Sequence, residues 1–140
     1  MTQEKMSLFF ENLHRSTSID AFRNIYAEDV VFKDPFNEVK GVEAVHGVFA
    51  HMYENLDNPR FVITEYIGTQ ATAYVKWDFI FAFKGEKKEQ CFEGVSRLCI
   101  NDEDKVMAHT DYWDAAEHIY EKMPIVGSLL RFIKRKISRS

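Results

Sequence analysis

Tyr26-Ala27-Glu28-Asp29-Val30-Val31-Phe32-Lys33-Asp34-Pro35 is the stretch whose reading decides the fold. It joins a helical apolar pattern to a short strand and stops at a proline. Ser18 is an N-cap candidate for a short helix through Ala21, Phe22, Ile25 and Tyr26. Val30-Val31-Phe32 reads as a strand that ends at Asp34, because Pro35 has no amide donor and biases the preceding residue toward extended geometry. Upstream, Met6, Phe9, Phe10 and Leu13 recur at helical spacing. Downstream, Gly41 opens a third helix with an apolar stripe of Val45, Val48, Phe49, Met52 and Tyr53. The turn-rich Asn55-Leu56-Asp57-Asn58-Pro59 closes it.

From Phe61 the period changes to two. Phe61-Val62-Ile63 begins one strand, and Tyr74 to Phe83 is the clearest, with Val75, Trp77, Phe79, Phe81 and Phe83 on one face. Lys84-Gly85-Glu86 supplies a hairpin turn. The return strand, about Glu89 to Ile100, places Phe92, Gly94, Ser96 and Leu98 together. After the turn Asn101-Asp102-Glu103-Asp104, a last strand from Val106 to Trp113 puts Met107, His109, Asp111 and Trp113 on a common face. Helices first and an antiparallel meander afterwards predict an α+β fold.

The 140 residues, 46% apolar and 14% aromatic, suffice for one core and exclude general disorder. No repeat or linker divides them, so the expected organisation is one domain over residues 1–114 and a basic amphipathic helical tail over 115–140. The polar, acidic start does not read as a secretory signal, and no apolar run is long enough to span a bilayer, which predicts a cytoplasmic protein. Cys91 and Cys99 are expected as small buried side chains in a reducing compartment. After Glu121 come six basic residues and no acidic one, while the part before carries 12 basic against 22 acidic side chains. An acidic body argues against nucleic-acid binding. In the tail, Leu129, Ile133 and Ile137 lie four apart among cations. Residues 124–140 can make peripheral contact with an anionic membrane, or dock on the acidic domain or a dimer mate.

The order of elements and the Tyr26–Pro35 phrase resemble the nuclear transport factor 2-like superfamily, in particular its SnoaL-like branch with its ketosteroid isomerase relatives. The resemblance covers about residues 5 to 114. It implies a strongly curved antiparallel sheet forming a cone around an internal pocket, as in the cystatin-like folds, and pairing of the sheet's outer face in a homodimer. Asp34, by its place before Pro35, matches the carboxylate base of the isomerase relatives. The inward carboxylate on the last strand is the acid/base proposed for SnoaL-like cyclases, which implies that Asp111 faces the pocket.

The residues themselves support part of this. His109 and Asp111 stand two apart on a strand and leave one face, and an imidazole beside a carboxylate is a workable proton shuttle. Met107 and Trp113 on that face argue that it points inward. Asp34 has an equally ordinary use as a turn cap before proline. Asp34, His109 and Asp111 are the catalytic candidates. Phe10, Trp77, Phe79, Phe81, Ser96 and Trp113 are the candidate pocket wall, although sheet core would explain the strand aromatics as well. Phe10 stands where the isomerase has its oxyanion-binding tyrosine, and Ser96 where it has a protonated aspartate, so that isomerisation is not expected. Asp34, His109 and Asp111 could in principle surround a cation, but no spacing demands it, and no metal or cofactor is expected. Two uses of the pocket stay open: acid/base chemistry on an apolar small molecule of isomerase, cyclase, dehydratase or hydrolase type, and ligand binding or dimerisation without catalysis.

Overall fold

The computed structural model describes residues 1–118 and positions 132, 133, 135 and 136. The expected tail lies outside the described residues apart from its first and these isolated positions. Helix α1 spans Gln3–Glu11 and starts where the Thr2 hydroxyl accepts the Lys5 amide at 3.2 Å. It buries Met6 and Phe10. Helix α2 spans Ile19–Arg23, capped as expected by Ser18. Strands β1 (Tyr26–Lys33) and β2 (Glu38–Lys40) follow, then helix α3 (Val42–Asn55). Strands β3 (Leu56–Gly68), β4 (Thr72–Phe83), β5 (Glu89–Ile100) and β6 (Val106–Tyr112) complete the sheet, and a short α4 covers Ala115–His118.

All six strands form one open sheet in the order β2-β1-β6-β5-β4-β3. The meander β3 to β6 is antiparallel throughout. The pairing of β1 with β6 is parallel, with Phe32 opposite His109, so the sheet is mixed where the sequence predicted an antiparallel one. That contact joins residues some 77 positions apart, and no local pattern announces it. Tyr26 is a second correction. It begins β1 and does not end α2, because the Val106 amide bonds to the Ile25 carbonyl and pulls the chain into the sheet.

Bulges bend the sheet, and they explain the other departures. The segment Asn55–Pro59 was expected as a turn, yet β3 runs through Leu56. Between Asp57 and Arg60 its register gains one residue, where Asn58 takes a positive φ of 48° and Pro59 needs no ladder donor. A second bulge lies between Ile63 and Glu65. There the Glu11 carboxylate, at the end of α1, accepts the Ile63 amide at 2.8 Å. On β6 a third bulge between Val106 and Ala108 reverses the alternation. Val106 is buried and Met107 is turned outward at 44% exposure, against the expectation that Met107 shared a face with His109. Cys91 is likewise exposed and not buried.

The core lies between the inner face of the sheet and the helices. The alternating β4 positions Val75, Trp77, Phe79 and Phe81 are all buried, as their spacing predicted. Helix α3 buries Val42, Val45, Phe49 and Tyr53, while Val48 and Met52 are only half-buried and border a cavity. Among the described residues no helix is long and apolar enough to cross a membrane.

Candidate functional site

The site begins with Gly94. It lies opposite Trp77 in the β4–β5 ladder, and a Cβ there would fall 2.3 Å from the indole ring. Only glycine lets the ring lie flat across β5, and this brings Trp77 Nε1 within 2.9 Å of Ser96 Oγ two residues on. Ser96 is in turn directly opposite Asp111 in the β5–β6 ladder, and its hydroxyl donates to Asp111 Oδ1 at 2.5 Å.

The bulge on β6 turns His109 to the same side. Its side chain is 2% exposed, against 16% for Asp111. His109 Nε2 stands 2.6 Å from Asp111 Oδ1 and 3.2 Å from Ser96 Oγ. Its Nδ1 is 2.9 Å from the Tyr26 hydroxyl. One proton arrangement satisfies every member. Nε2–H donates to the carboxylate, and Nδ1, left bare, accepts the Tyr26 proton. A proton on Nδ1 would leave the buried Tyr26 hydrogen without an acceptor. Burial first, and the charge of Asp111 second, raise the Tyr26 phenol well above its usual range, so it stays a donor.

These bonds converge on one oxygen. Asp111 Oδ1 takes both hydrogen bonds, from His109 and from Ser96. Among the described residues none donates to Oδ2. Asp111 borders two spaces: a void of about 20 Å³ shared with Phe10, Ser96 and His109, and a cavity of about 330 Å³ toward α3. The first has room for about one water. The second is walled by rings from several elements, among them Phe32, Phe61, Phe79, Phe92 and Trp113. Phe92 and Trp113 stack at 4.7 Å between centroids, and Phe36 meets Trp113 edge-on at 5.5 Å.

Of the pocket-wall residues named from the sequence, Trp77, Phe79, Phe81 and Trp113 border the large cavity. Phe10 and Ser96 border the small void behind it. Asp34 borders the large cavity too, but it makes no hydrogen bond to His109 or Asp111. Its Oδ1 accepts the amides of Phe36 and Asn37 at 2.8 and 2.6 Å, and the Asn37 side chain donates to both of its oxygens at 3.1 Å. The Asp34 amide completes the turn by donating to the Asn37 carbonyl. Among the described residues no three His, Cys, Asp or Glu side chains gather as a cation site. Tyr26 was not foreseen; its signal, a tyrosine opening the fold-deciding stretch, was read as helix. The contributions of Phe49 and Phe61, which border both spaces, were also missed.

A profile of the SnoaL-like domain family matches residues 8–109. A Catenulispora acidiphila protein of ketosteroid isomerase-like fold, solved in complex with trimethylamine, is similar at a TM-score of 0.72 and 16% identity, over 85% of this chain and 92% of that one. A Jannaschia sp. protein, provisionally named a SnoaL-like polyketide cyclase, is similar at 0.69 and 14%, over 81% and 85%. TerC, co-crystallised with polyporic acid, is similar at 0.68 and 16%, over 81% and 92%. At such identities these likenesses establish the fold. No curated protein matches the sequence.

Proposed function

We propose that this chain, which belongs to the SnoaL-like domain family, holds an apolar small molecule in the aromatic cavity and exchanges a proton with it through Asp111. The observation that carries the reading is the division of labour on that carboxylate. Oδ1 is fixed by His109 and Ser96, and among the described residues none donates to Oδ2, while Asp111 borders the cavity. A base must reach the proton it takes, and Asp111 borders the cavity with an oxygen to which no described residue donates. His109 is buried and does not border the large cavity. It acts through Asp111 as a positioning residue, holding the carboxylate's angle with one nitrogen while Tyr26 holds the other. In this reading the proton shuttle foreseen for His109 becomes a fixed support. Two proteins of similar fold were crystallised with small molecules, trimethylamine and polyporic acid, which supports a ligand-holding use of the cavity.

Binding without chemistry is the second reading, favoured by Phe10 beside Asp111 where an oxyanion donor would be needed to stabilise an enolate. A single experiment addresses both. Native mass measurement of the purified protein is expected to find a small molecule that is lost in Val48→Trp, whose indole would fill the cavity. Asp111→Asn, incubated with a saturating amount of the molecule recovered from the wild type, is expected to leave it chemically unchanged. Unaltered retention in Val48→Trp would remove the cavity from the function; turnover undiminished in Asp111→Asn would remove the base.

A further inference from the structure

The charges on the cavity wall are of one sign. Asp34 and Asp111 border it, and among the described residues no lysine or arginine does. Its neutral donors are largely engaged elsewhere. Trp77 Nε1 donates to Ser96, the Asn37 amide to Asp34, and the Asn55 amide to the His51 carbonyl. His51 is the one other titratable group on the described wall, and it lies at the exposed side. Nine of the seventeen bordering residues are Phe or Trp.

Each of these facts bears on what can enter. An anion would meet two carboxylates in an aromatic enclosure with no lysine or arginine among the described residues to offset them, and would be rejected. A purely apolar molecule would strip water from Asp111 Oδ2 and leave it unpaired. A ligand with a protonated nitrogen does neither. Its N–H donates to Oδ2 in a charge-assisted bond, and its alkyl groups lie against rings whose faces attract cations. The 22 acidic against 12 basic side chains before residue 122 also draw cations toward the opening.

We infer that the ligand of this cavity is an organic cation, an alkyl- or arylalkylammonium whose nitrogen pairs with Asp111 Oδ2 while its apolar part fills the aromatic enclosure. This rests on the cavity being a small-molecule site, as proposed above, and names the chemical class it takes. It also explains why the His109–Ser96 pair engages one oxygen alone: a carboxylate with one fixed and one open oxygen presents a single, oriented acceptor to the ammonium.

Three probes of one size separate the possibilities: phenethylamine, cationic at neutral pH; 2-phenylethanol, neutral; and phenylacetate, anionic. Binding to the full chain is read from the emission of Trp77 and Trp113, which border the cavity, and by calorimetry. The amine is expected to bind at least tenfold more tightly than the alcohol, with no measurable binding of phenylacetate. Asp111→Asn is expected to weaken the amine tenfold or more and the alcohol less than threefold. Alcohol binding equal to or tighter than the amine in the wild type would overturn the ammonium assignment and leave the small-molecule site standing. Phenylacetate binding would overturn it as well. If none of the three binds, the site and its ligand class fail together. The wild-type comparison needs no variant, so a poorly folded Asp111→Asn does not blunt the test.

Discussion

Asp34 and Asp111 border the same cavity, yet the chain around them treats them in opposite ways. Asp34 sits in a four-residue turn that supplies its own donors. Two backbone amides and one side-chain amide close on it, and all come from residues 36 and 37. Asp111 takes one donor across the ladder, Ser96 on β5, and one from its own strand, His109, which Tyr26 holds in turn from a strand far away in sequence. Asp34 has donors on both oxygens; Asp111, among the described residues, keeps one oxygen open. A carboxylate's availability therefore depends on where its donors come from. A turn's amides close around whatever caps it, whereas a sheet can fix one oxygen and leave the other to the cavity.

The largest expected effect comes from removing the centre of the long-range set. His109→Ala leaves a void in the core, an orphaned Tyr26 hydroxyl and an Asp111 held by Ser96 alone. A loss of about 3 kcal/mol or more in urea unfolding is expected. A loss under about 1 kcal/mol would mean that Asp111 is not supported through His109, and the contrast with Asp34 would collapse.

Gly94→Ala tests the same set from its outer end. The added methyl would overlap Trp77, a buried indole with little room to move, at an expected cost of about 1–3 kcal/mol. The ring's displacement would break its bond to Ser96, so a shift in Trp emission is expected with the loss of stability. Unchanged emission would mean that the ring is not held by Ser96.

Tyr26→Phe should cost about 1–2 kcal/mol, because it leaves Nδ1 of His109 buried without a donor. Nitrogen-15 resonances of His109 are expected to show an Nε2–H tautomer in the wild type and a mixture in the variant. The pH dependence has a definite sign. Tyr26 keeps its proton in the folded protein well above pH 10, whereas the unfolded chain releases it near that value. Its contribution is complete below about pH 10 and is lost as pH rises above it. Tyr53, pushed up to about 12 by burial, adds to the same limb and remains in the variant. Tyr26→Phe should therefore flatten the alkaline limb of stability against pH without removing it. An unaltered limb would mean that Tyr26 is not the buried phenol that resists ionisation.

The same local and long-range division decides what could be read from the sequence. The β4 alternation and the two-residue spacing of His109 and Asp111 are local, and the structure keeps both. Met107 was misplaced because a bulge inserts one residue opposite β5, and a reversed parity leaves no mark on the composition of β6. His109 and Asp111 still point inward, although one argument for it, the company of Met107, was mistaken. Tyr26 could not be linked to His109, since the link runs through the parallel β1–β6 pairing and its irregular register. At Asp34 the sequence allowed a turn cap or a pocket carboxylate. The turn needed only residues 34–37 to be foreseen, and the cavity wall needed the whole sheet.

The smallest effects are expected at Asp34, and they test the contrast most sharply. Asp34→Ala removes the acceptor of the turn and should cost about 1 kcal/mol, the usual loss when a local side-chain cap goes. Asp34→Asn keeps an oxygen for the Phe36 and Asn37 amides, so a change below about 0.5 kcal/mol is expected. Its consequence for binding should also be slight. The carboxylate is already surrounded by donors, which spread its charge before any ligand arrives, and phenethylamine affinity should fall less than threefold. Asp111→Asn, by contrast, is expected to weaken the same probe tenfold or more. Equal losses in the two variants would show that the amine senses the summed charge of the wall and not one open oxygen, and the distinction between a saturated and an available carboxylate would no longer hold.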